Sequence, residues 1–405
     1  MLSEQSAATV RATLPVVGAA IGDITERFYE RLFTAHPELL RDLFNRGNQA
    51  AGTQRQALAG SIAAFAAYLV DHPDERPDAM LHRIAHKHAS LGVAPEQYGT
   101  VHEHLFAAIA EVLGDAVTPE VGAAWDEVYW LMANALIAVE ARLYAEQGAV
   151  GHDTWREWEV VGRIEEAADV ATFQLRPLGE APAPGFRAGQ YVSVQVRLDD
   201  GARQIRQYSL SGAGGTGSPV RQISVKRVPA GAGAPEGEVS NHLHARVREG
   251  DVLRLSAPYG DLVLDPADRD APLLLASAGI GVTPMIAMLD QLAADGHRGP
   301  VTVVHADRSP AEHALRADHA AYADKLPHGA AHFFYERPDE GHPAELTGLA
   351  DLTALPPLPA GTRAYLCGPL PFMRAVRTQL MEVCGVGAAD IHYEVFGPDL
   401  WLARG

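Results

Sequence analysis

LLLASAGIGVTPMIAML, residues 273–289, decides the fold of the C-terminal part of this chain of 405 residues. A continuous apolar run of strand length leads into a Gly-Ile-Gly turn and then into apolar residues at helical spacing. Glycines let the backbone approach a pyrophosphate closely, and the start of a helix favours an anion. Pro284 replaces the last glycine of the full pattern, at a first-turn position that tolerates proline. The stretch therefore predicts a nucleotide-binding strand–turn–helix unit.

Three rhythms of hydrophobic residues divide the chain. Up to residue 148, apolar residues recur at spacings of three and four, which predicts an all-α domain over 1–148. From Trp155 the apolar and polar residues alternate between Gly/Pro turns, which predicts an antiparallel β-barrel over 152–265. Short apolar strands separated by helix-length segments then predict an α/β domain with a parallel sheet over 270–405.

Composition limits the classes of function. The formal net charge is −18, and such a surface repels phosphate backbones, so we expect no nucleic-acid partner. Two cysteines in the whole sequence exclude a disulfide framework and an all-cysteine metal centre. No apolar run of membrane-spanning length and no secretory signal are evident, so we expect a cytoplasmic protein without a membrane span. We also expect a monomer.

Helical phase singles out one histidine in the N-terminal domain. The predicted helix around residues 80–91 carries Leu81, Ile84, His88 and Leu91 on one face. A histidine within an apolar stripe is more often a core residue than a metal ligand, and on phase alone both interpretations stay open. His82 and His86 form a pair on another face, which we interpret as solvated.

Three polar residues lie on apolar stripes of other helices in this domain. Glu140 shares its stripe with leucines, and a buried carboxylate needs a partner. A histidine hydrogen-bonded to a carboxylate would donate more electron density to a metal. Tyr29 and Gln54 likewise occupy positions where apolar residues are expected. Taken singly, each of the three could be an ordinary core or boundary residue.

Residues 28–44, 48–58 and 87–98 together resemble the globin domain of the flavohaemoglobin family. The resemblance implies that His88 is the proximal ligand of haem b iron and that Tyr29 and Gln54 form hydrogen bonds on the distal side. The other matching positions are Phe44 packed on the haem, Leu58 as an apolar gate, and Tyr98 with Glu140 as the pair that tunes His88. Lys87 matches a basic residue beside the proximal histidine, although we interpret it as an exposed helix lysine.

Residues 206–209, Arg-Gln-Tyr-Ser, follow a β-strand region. An arginine suits a flavin pyrophosphate, a tyrosine offers a stacking face, and a serine hydroxyl can reach a ring nitrogen. With residues 189–191 and 237–243, this motif resembles the ferredoxin–NADP reductase superfamily and implies bound FAD. The implied contacts are Tyr191, Arg206, Gln207, Tyr208, Ser209, Gly237, Val239 and Ser240.

The same resemblance assigns two further segments to nucleotide and flavin. The turn Gly279, Ile280, Gly281, Val282, Thr283 and Pro284 would hold the NADH or NADPH pyrophosphate, and Cys367, Gly368 and Pro369 would border the nicotinamide. The C-terminal run Glu394, Val395, Phe396, Gly397 and Pro398 would cover the flavin. Asp307 favours a free ribose hydroxyl, whereas Arg308 and Ser309 favour a 2′-phosphate. NADH is preferred and NADPH stays open.

The three motif sets follow the order of the flavohaemoglobin family over essentially the whole chain. The resemblance implies a nitric oxide dioxygenase: NAD(P)H reduces FAD, FAD reduces haem iron, and O2 bound at ferrous haem oxidises nitric oxide to nitrate. O2 and nitric oxide would then be the substrates. Two alternatives stay open. One is a haem-based sensor or binding protein that reduces itself, and the other is a flavin-dependent reductase without haem.

Overall fold

The computed structural model describes residues 2–179, 182–212, 219–231, 235–338 and 346–397. Its N-terminal helices confirm the all-α prediction. They are α1 (Glu4–Ala35), α2 (Pro37–Asp42), α3 (Arg46–Ala50), α4 (Thr53–Asp71), α5 (Asp78–Leu91), α6 (Glu96–Leu113) and α7 (Pro119–Glu146). The short helices α2 and α3 lie between the long helices α1 and α4, where the haem-packing phenylalanine is expected.

The long helix α1 packs against α4, α6 and α7. Its N-terminus is capped by Ser3, whose side chain accepts a hydrogen bond from the Ser6 amide. Within the described residues, α1 alone has the length and hydropathy of a membrane span, with a mean hydropathy of 1.3, although the sequence predicts none. Ile24, Phe28 and Leu32 on this helix are buried in the helical core. We therefore assign α1 to that core.

The middle of the chain forms the predicted antiparallel sheet. Its strands are β1 (Trp155–Ala167), β2 (Val170–Pro177), β3 (Tyr191–Arg197), β4 (Arg203–Ser209), β5 (Arg221–Lys226) and β6 (Val252–Ser256), with helix α8 (Glu238–Arg246) before β6. The strand order is β4-β3-β6-β1-β2-β5, and a bridge between Leu210 and Ile223 joins its two edges. This bridge closes the sheet into a barrel around a core of alternating residues.

The C-terminal part is a parallel sheet, as predicted, with order β10-β9-β8-β7-β11-β12. Its elements are β7 (Leu273–Ala278), α9 (Val282–Ala294), β8 (Val301–Asp307), α10 (Arg316–Asp324), β9 (Gly329–Tyr335), β10 (Leu346–Thr347), β11 (Arg363–Cys367), α11 (Leu370–Glu382) and β12 (Ile391–Glu394). All six residues of the central strand β7 are buried, which explains its unbroken apolar sequence. The carboxyl ends of β7 and β11 lie side by side, with Ser277 paired to Cys367.

The helical domain docks on the barrel through a polar contact that the sequence did not reveal. The side-chain amide of Gln204, fully buried in β4, donates hydrogen bonds to the carbonyls of Arg41 (3.0 Å) and Phe44 (3.2 Å). Arg46 bridges to Asp200 and Glu238, each at 2.6 Å. Since Phe44 is a predicted haem contact, this junction would position one wall of the predicted haem pocket against the barrel.

Candidate haem, flavin and nucleotide sites

Three predicted residues meet at the end of α5. Nδ1 of His88 lies 2.9 Å from Glu140 Oε1 on α7 and 2.9 Å from the Tyr98 hydroxyl on α6. The Tyr98 hydroxyl also donates to Glu140 Oε1 at 2.5 Å. Because both neighbours contact Nδ1, Nε2 is the nitrogen that remains for a metal. Glu140 is 2% exposed, so this contact supplies the partner that its burial requires.

Two further tyrosine hydroxyls hold the backbone near the His88–Glu140–Tyr98 group in place. The Tyr129 hydroxyl donates to the carbonyl of Tyr98 at 2.6 Å, and the Tyr144 hydroxyl donates to the carbonyl of Val93 at 2.9 Å. Burial, followed by the Glu140 charge, raises the pKa of Tyr98 well above its ordinary value. Tyr98 therefore stays protonated and acts as a donor to the carboxylate. The donor set, one imidazole held by a carboxylate and a phenol, fits a proximal haem ligand.

Tyr29 and Gln54 also come together. Tyr29 is buried, and this burial raises its pKa above the ordinary range, against the opposing effect of the nearby side-chain amides of Gln54 and Gln49. Gln49 lies on the short helix α3, and sequence reasoning missed it because a five-residue helix has no readable stripe. Its Nε2 is buried without a hydrogen-bond partner among the described residues. The Tyr29 hydroxyl thus belongs to a polar group of three side chains.

Apolar residues surround this polar group. The Phe44 ring meets the Tyr29 ring edge-on at 5.9 Å, and Phe33 stacks on Tyr29 at 5.5 Å. Leu58, one turn after Gln54 on α4, is partly buried and packs on the same helical core. This lining suits a haem face, since a porphyrin needs apolar walls with few directed polar groups.

The structure corrects two interpretations of residues next to His88. His86 is not a solvated histidine, because its Nδ1 accepts a hydrogen bond from the Gly260 amide at 3.1 Å. Burial lowers the pKa of His86 to about 4, so it is neutral at this contact. Lys87 is not an exposed helix lysine, because it is partly buried and its Nζ lies 5.9 Å from the centre of the Tyr191 ring on the barrel. Helical phase gave the faces correctly but could not show which domain covers them.

A hydrogen-bond chain continues from α5 into the predicted flavin site. Ser193 on β3 donates to Ser90 at 3.0 Å and accepts from the Gln207 amide at 2.9 Å. Tyr191, at the start of β3, is 5% exposed. Burial, followed by the nearby Glu394 charge, raises its pKa well above the ordinary value. The residues predicted to contact FAD therefore lie beside the helix that carries His88.

The Arg206–Ser209 motif lies on β4. Arg206 donates to the Ile205 carbonyl at 2.7 Å and lies 3.8 Å from Glu238, and its burial lowers its pKa. Tyr208 is partly buried, and burial raises its pKa, so its hydroxyl stays protonated. Ser209 is 4% exposed, and its Oγ has no hydrogen-bond partner within the described ranges. A buried hydroxyl without a partner beside a partly buried cation fits a flavin that supplies both a hydrogen-bonding ring atom and a phosphate.

The predicted second phosphate loop is the start of helix α8. Gly237 is its N-cap residue, and Ser240 Oγ donates to the Gly237 carbonyl at 3.1 Å. Val239 is fully buried in the barrel core, so only its backbone can serve a ligand. These residues frame a helix N-terminus next to Arg206, as the resemblance implies.

Glycine at position 281 is required by close packing between β7 and β11. A Cβ added to Gly281 would lie 2.3 Å from the Cys367 carbonyl oxygen and 2.8 Å from Gly368 Cα. Gly279 adopts a positive φ of 53°, and the Thr283 hydroxyl donates to the Ile280 carbonyl at 2.9 Å. The residues from Val282 to Pro284 form the first turn of α9. The turn therefore meets the Cys367-Gly-Pro segment, which leads from β11 into α11, at the carboxyl end of the parallel sheet.

Substituting Gly281 by alanine should destabilise this edge. The added methyl group would meet backbone atoms that cannot move freely, so we expect a loss of about 1–3 kcal/mol in the free energy of unfolding. Urea unfolding followed by FAD fluorescence measures this loss. Gly185→Ala serves as the control, because its Cβ would meet nothing within 4 Å. Equal midpoints for the two variants would contradict the packing argument.

The segment after β12 lies against the same edge. Glu394 pairs with Cys367 across the sheet, and together with burial it raises the pKa of the Cys367 thiol well above its ordinary value. A thiol in that state is not a nucleophile at neutral pH. Val395 packs on the sheet core, Gly397 has a positive φ of 126°, and Phe396 is 46% exposed. Pro398 lies outside the described residues.

The residues predicted to distinguish NADH from NADPH give no single answer in the structure. The side chain of Asp307 is 5% exposed, and its Oδ1 accepts from the Arg308 amide at 2.8 Å. Arg308 is exposed and pairs with Glu312 at 2.7 Å. The preference for NADH over NADPH therefore stays a prediction.

Three protein-family models match successive parts of the chain. They are Globin over residues 26–136, Oxidoreductase FAD-binding domain over 157–264 and Oxidoreductase NAD-binding domain over 275–378. The Flavohemoprotein of Chromobacterium violaceum is 43% identical over 98% of each chain, and that of Bacillus subtilis is 37% identical over 100% of each. The matched order is that of the three folds described above.

Two solved structures support the same grouping. The flavohemoglobin from Malassezia yamatoensis, with bound FAD and heme, is 39% identical, with a TM-score of 0.89 over 98% of this chain and 100% of that one. The FAD/NAD binding domain of nitric oxide dioxygenase from Vibrio cholerae is 38% identical, with a TM-score of 0.55 over 60% of this chain and 99% of that one. The first match spans all three folds. The second covers a share of this chain that corresponds in size to its FAD-binding and NAD-binding domains together.

Proposed function

The chain belongs to the flavohaemoglobin family, and on that premise we propose that this haem- and FAD-containing, NAD(P)H-dependent oxidoreductase is a nitric oxide dioxygenase. The proposed substrates are O2 and nitric oxide, and the product is nitrate. The observation that carries the proposal is the contact of His88 with Glu140 and Tyr98 on the chain that also bears the reductase motifs. We place the reaction in the cytoplasm, in keeping with two free cysteines.

Haem and FAD, when bound, supply an iron that activates O2 and a flavin that converts a two-electron hydride donor into one-electron steps. The protein's part begins at His88, which would ligate through Nε2. Its Nδ1 lies 2.9 Å from Glu140 Oε1, so with Nε2 on a metal the Nδ1–H would donate to the carboxylate, which would make the imidazole a stronger electron donor. Tyr98 holds that carboxylate in place by donating a second hydrogen bond. This arrangement favours oxygen chemistry over reversible storage.

Tyr29 and Gln54 would act on the distal side. A protonated Tyr29 hydroxyl, kept so by burial, could donate a hydrogen bond to O2 on this side of the pocket. The side-chain amides of Gln54 and Gln49 lie near this hydroxyl and would help to orient it. Phe33 and Phe44 flank the Tyr29 ring and would exclude water from the reacting atoms. Nitric oxide, which is small and apolar, could then enter while bulk water is kept out.

Substrate consumption tests the proposed activity. Purified chain with haem and FAD is mixed aerobically with NADH and nitric oxide, and nitric oxide is followed by electrode together with nitrate. We expect NADH-dependent loss of nitric oxide and matching nitrate formation. Intact haem that is reduced by NADH but consumes no nitric oxide would overturn the proposal and favour a sensor.

Glu140→Gln tests the proximal push. The amide keeps the shape but loses the charge, so we expect nitric oxide turnover to fall about 10-fold with haem content unchanged. Resonance Raman spectroscopy of the ferrous protein should also show a weaker iron–histidine stretch. Glu127→Gln is the control. Glu127 also lies on α7, but its carboxylate accepts a hydrogen bond from the amide of Ser3 at the start of α1, outside the pocket. An unchanged stretching frequency in Glu140→Gln would contradict the assigned role.

A further inference from the structure

Three buried histidines form a cluster at the end of β8, outside the haem and flavin sites. His305 lies in β8, His319 lies in α10, and His313 lies in the segment between them; their exposed fractions are 0%, 0% and 3%. One ring nitrogen from each histidine can be chosen so that all three atoms lie within 4.8 Å of one another. Neither the proposed reaction nor the nucleotide motifs use this cluster.

The atoms inside the cluster lack partners. His305 Nε2, His319 Nε2 and Asp307 Oδ2 are buried without hydrogen bonds to any described residue. His305 Nε2 and Asp307 Oδ2 lie 3.6 Å apart. Buried polar atoms are almost always paired, and leaving one unpaired costs free energy. The unpaired ring nitrogens of His305 and His319 therefore indicate that the cluster has lone pairs left for a partner.

The atoms on the outside of the cluster are paired in a way that orients the rings. His305 Nδ1 lies 2.8 Å from the Ser277 hydroxyl, and His313 Nδ1 lies 2.8 Å from the Tyr335 hydroxyl. The remaining contact joins His313 Nε2 to His319 Nδ1 at 3.1 Å. Outer hydrogen bonds of this kind fix ring orientation and tautomer in metal sites.

The cluster is also held by a strained backbone. Leu315, between His313 and His319, has a φ of 57°, which is unfavourable for a leucine. Strain of this kind persists only where the surroundings require it.

We propose that His305, His313 and His319 bind a divalent transition-metal ion of the zinc class. Imidazole nitrogens select zinc and its neighbours, whereas magnesium and calcium prefer oxygen ligands. Three imidazole nitrogens supply three of the four positions of a tetrahedral zinc ion and leave the fourth to a water molecule. The ion would tie the end of β8 to the start of α10.

The geometry requires side-chain rotation but no large backbone movement. Two ligands of a tetrahedral zinc ion lie roughly 3.4 Å apart, given bond lengths of about 2.0–2.1 Å. The separation of 3.1 Å between His313 Nε2 and His319 Nδ1 is close to that value, and one nitrogen from each of the three rings lies within 4.8 Å of the other two. The His305 and His313 rings stack at 3.8 Å with 18° between their planes, so one ring must turn to point its nitrogen at the ion.

Equilibrium dialysis of the full chain against Zn²⁺ tests the proposal. Chelator-treated protein with haem and FAD bound is dialysed at increasing Zn²⁺, and bound zinc is measured by elemental analysis. We expect one tightly bound zinc per chain, a dissociation constant raised at least about 100-fold in His305→Gln and His319→Gln, and a higher thermal unfolding temperature when zinc is bound.

His297→Gln is the matched control. His297 is equally buried in the same sheet domain, and both its ring nitrogens are unpaired among the described residues, but it lies outside the cluster. It should bind zinc like the parent chain. Equal zinc affinity in His319→Gln and the parent would overturn the proposal.

Crystals of the parent chain soaked in Zn²⁺ give a second test that needs no variant. An anomalous peak between the three rings would support the site even if the variants fail to retain FAD. Peaks confined to surface residues would overturn it.

Discussion

His88→Ala is expected to abolish the Soret band of the purified chain while leaving the flavin spectrum in place. His88 is the only member of the Glu140–Tyr98 group that can offer a nitrogen to iron, since its Nδ1 is held and its Nε2 remains. Removing that ligand leaves iron with no proximal bond from the protein. The barrel and the nucleotide domain contain none of these three residues, so FAD and NADH binding should persist. Absorption spectra with haem and FAD quantified per chain measure the outcome.

His82→Ala is the matched control, because it removes a histidine from the same helix α5. His82 lies 3.5 Å from Arg142 and takes no part in the proximal group. We expect this variant to keep its Soret band and its NADH-dependent reduction of ferricyanide. A full Soret band in His88→Ala would remove the haem assignment of this residue. Loss of ferricyanide reduction in that variant would instead indicate that the reductase part depends on the helical domain.

Periodicity predicted most of the fold because each of its three rhythms depends on local burial. The central strand of the parallel sheet is buried on both faces and reads as the continuous apolar run 273–278. The strands of the barrel alternate because only one face is in the core. Helical phase placed His88 and Glu140 on inward faces, the resemblance added Tyr98, and the structure brings the three side chains together.

Contacts between domains could not be predicted in this way. Gln204 received no role from the sequence, yet its side-chain amide donates hydrogen bonds to the carbonyls of Arg41 and Phe44 in the helical domain. His86 and Lys87 were interpreted as solvent-facing, because a helix face turned away from its own core reads as exposed whether water or a second domain covers it. Gln49 was missed for a different reason, since its helix is too short for a pattern.

The histidine cluster of the nucleotide domain was missed because its members lie in elements that have different sequence patterns. His305 belongs to an apolar strand, His313 to an irregular segment and His319 to a helix, so no single spacing joins them. Only the packing of α10 against β9 and α9 brings them within reach of one another. A metal site assembled from three element types has no short sequence signature.

Tyr29→Phe should lower the rate of nitric oxide consumption about 100-fold, the effect of removing one directed donor from a site where negative charge develops. The ring remains, so its contacts with Phe33 and Phe44 should persist and haem should still bind. Gln54 and Gln49 would remain near the site but could not replace the buried hydroxyl. Stopped-flow mixing of NADH-reduced, oxygenated protein with nitric oxide measures the rate. Tyr68→Phe on α4 is the control, because that hydroxyl bonds to Glu75 at the surface, and it should leave the rate unchanged. Equal rates in both variants would show that the Tyr29 hydroxyl does not act on the reacting atoms. A slow rate of nitric oxide consumption in Tyr29→Phe, with an intact Soret band and normal flavin reduction, would locate the defect at the distal pocket.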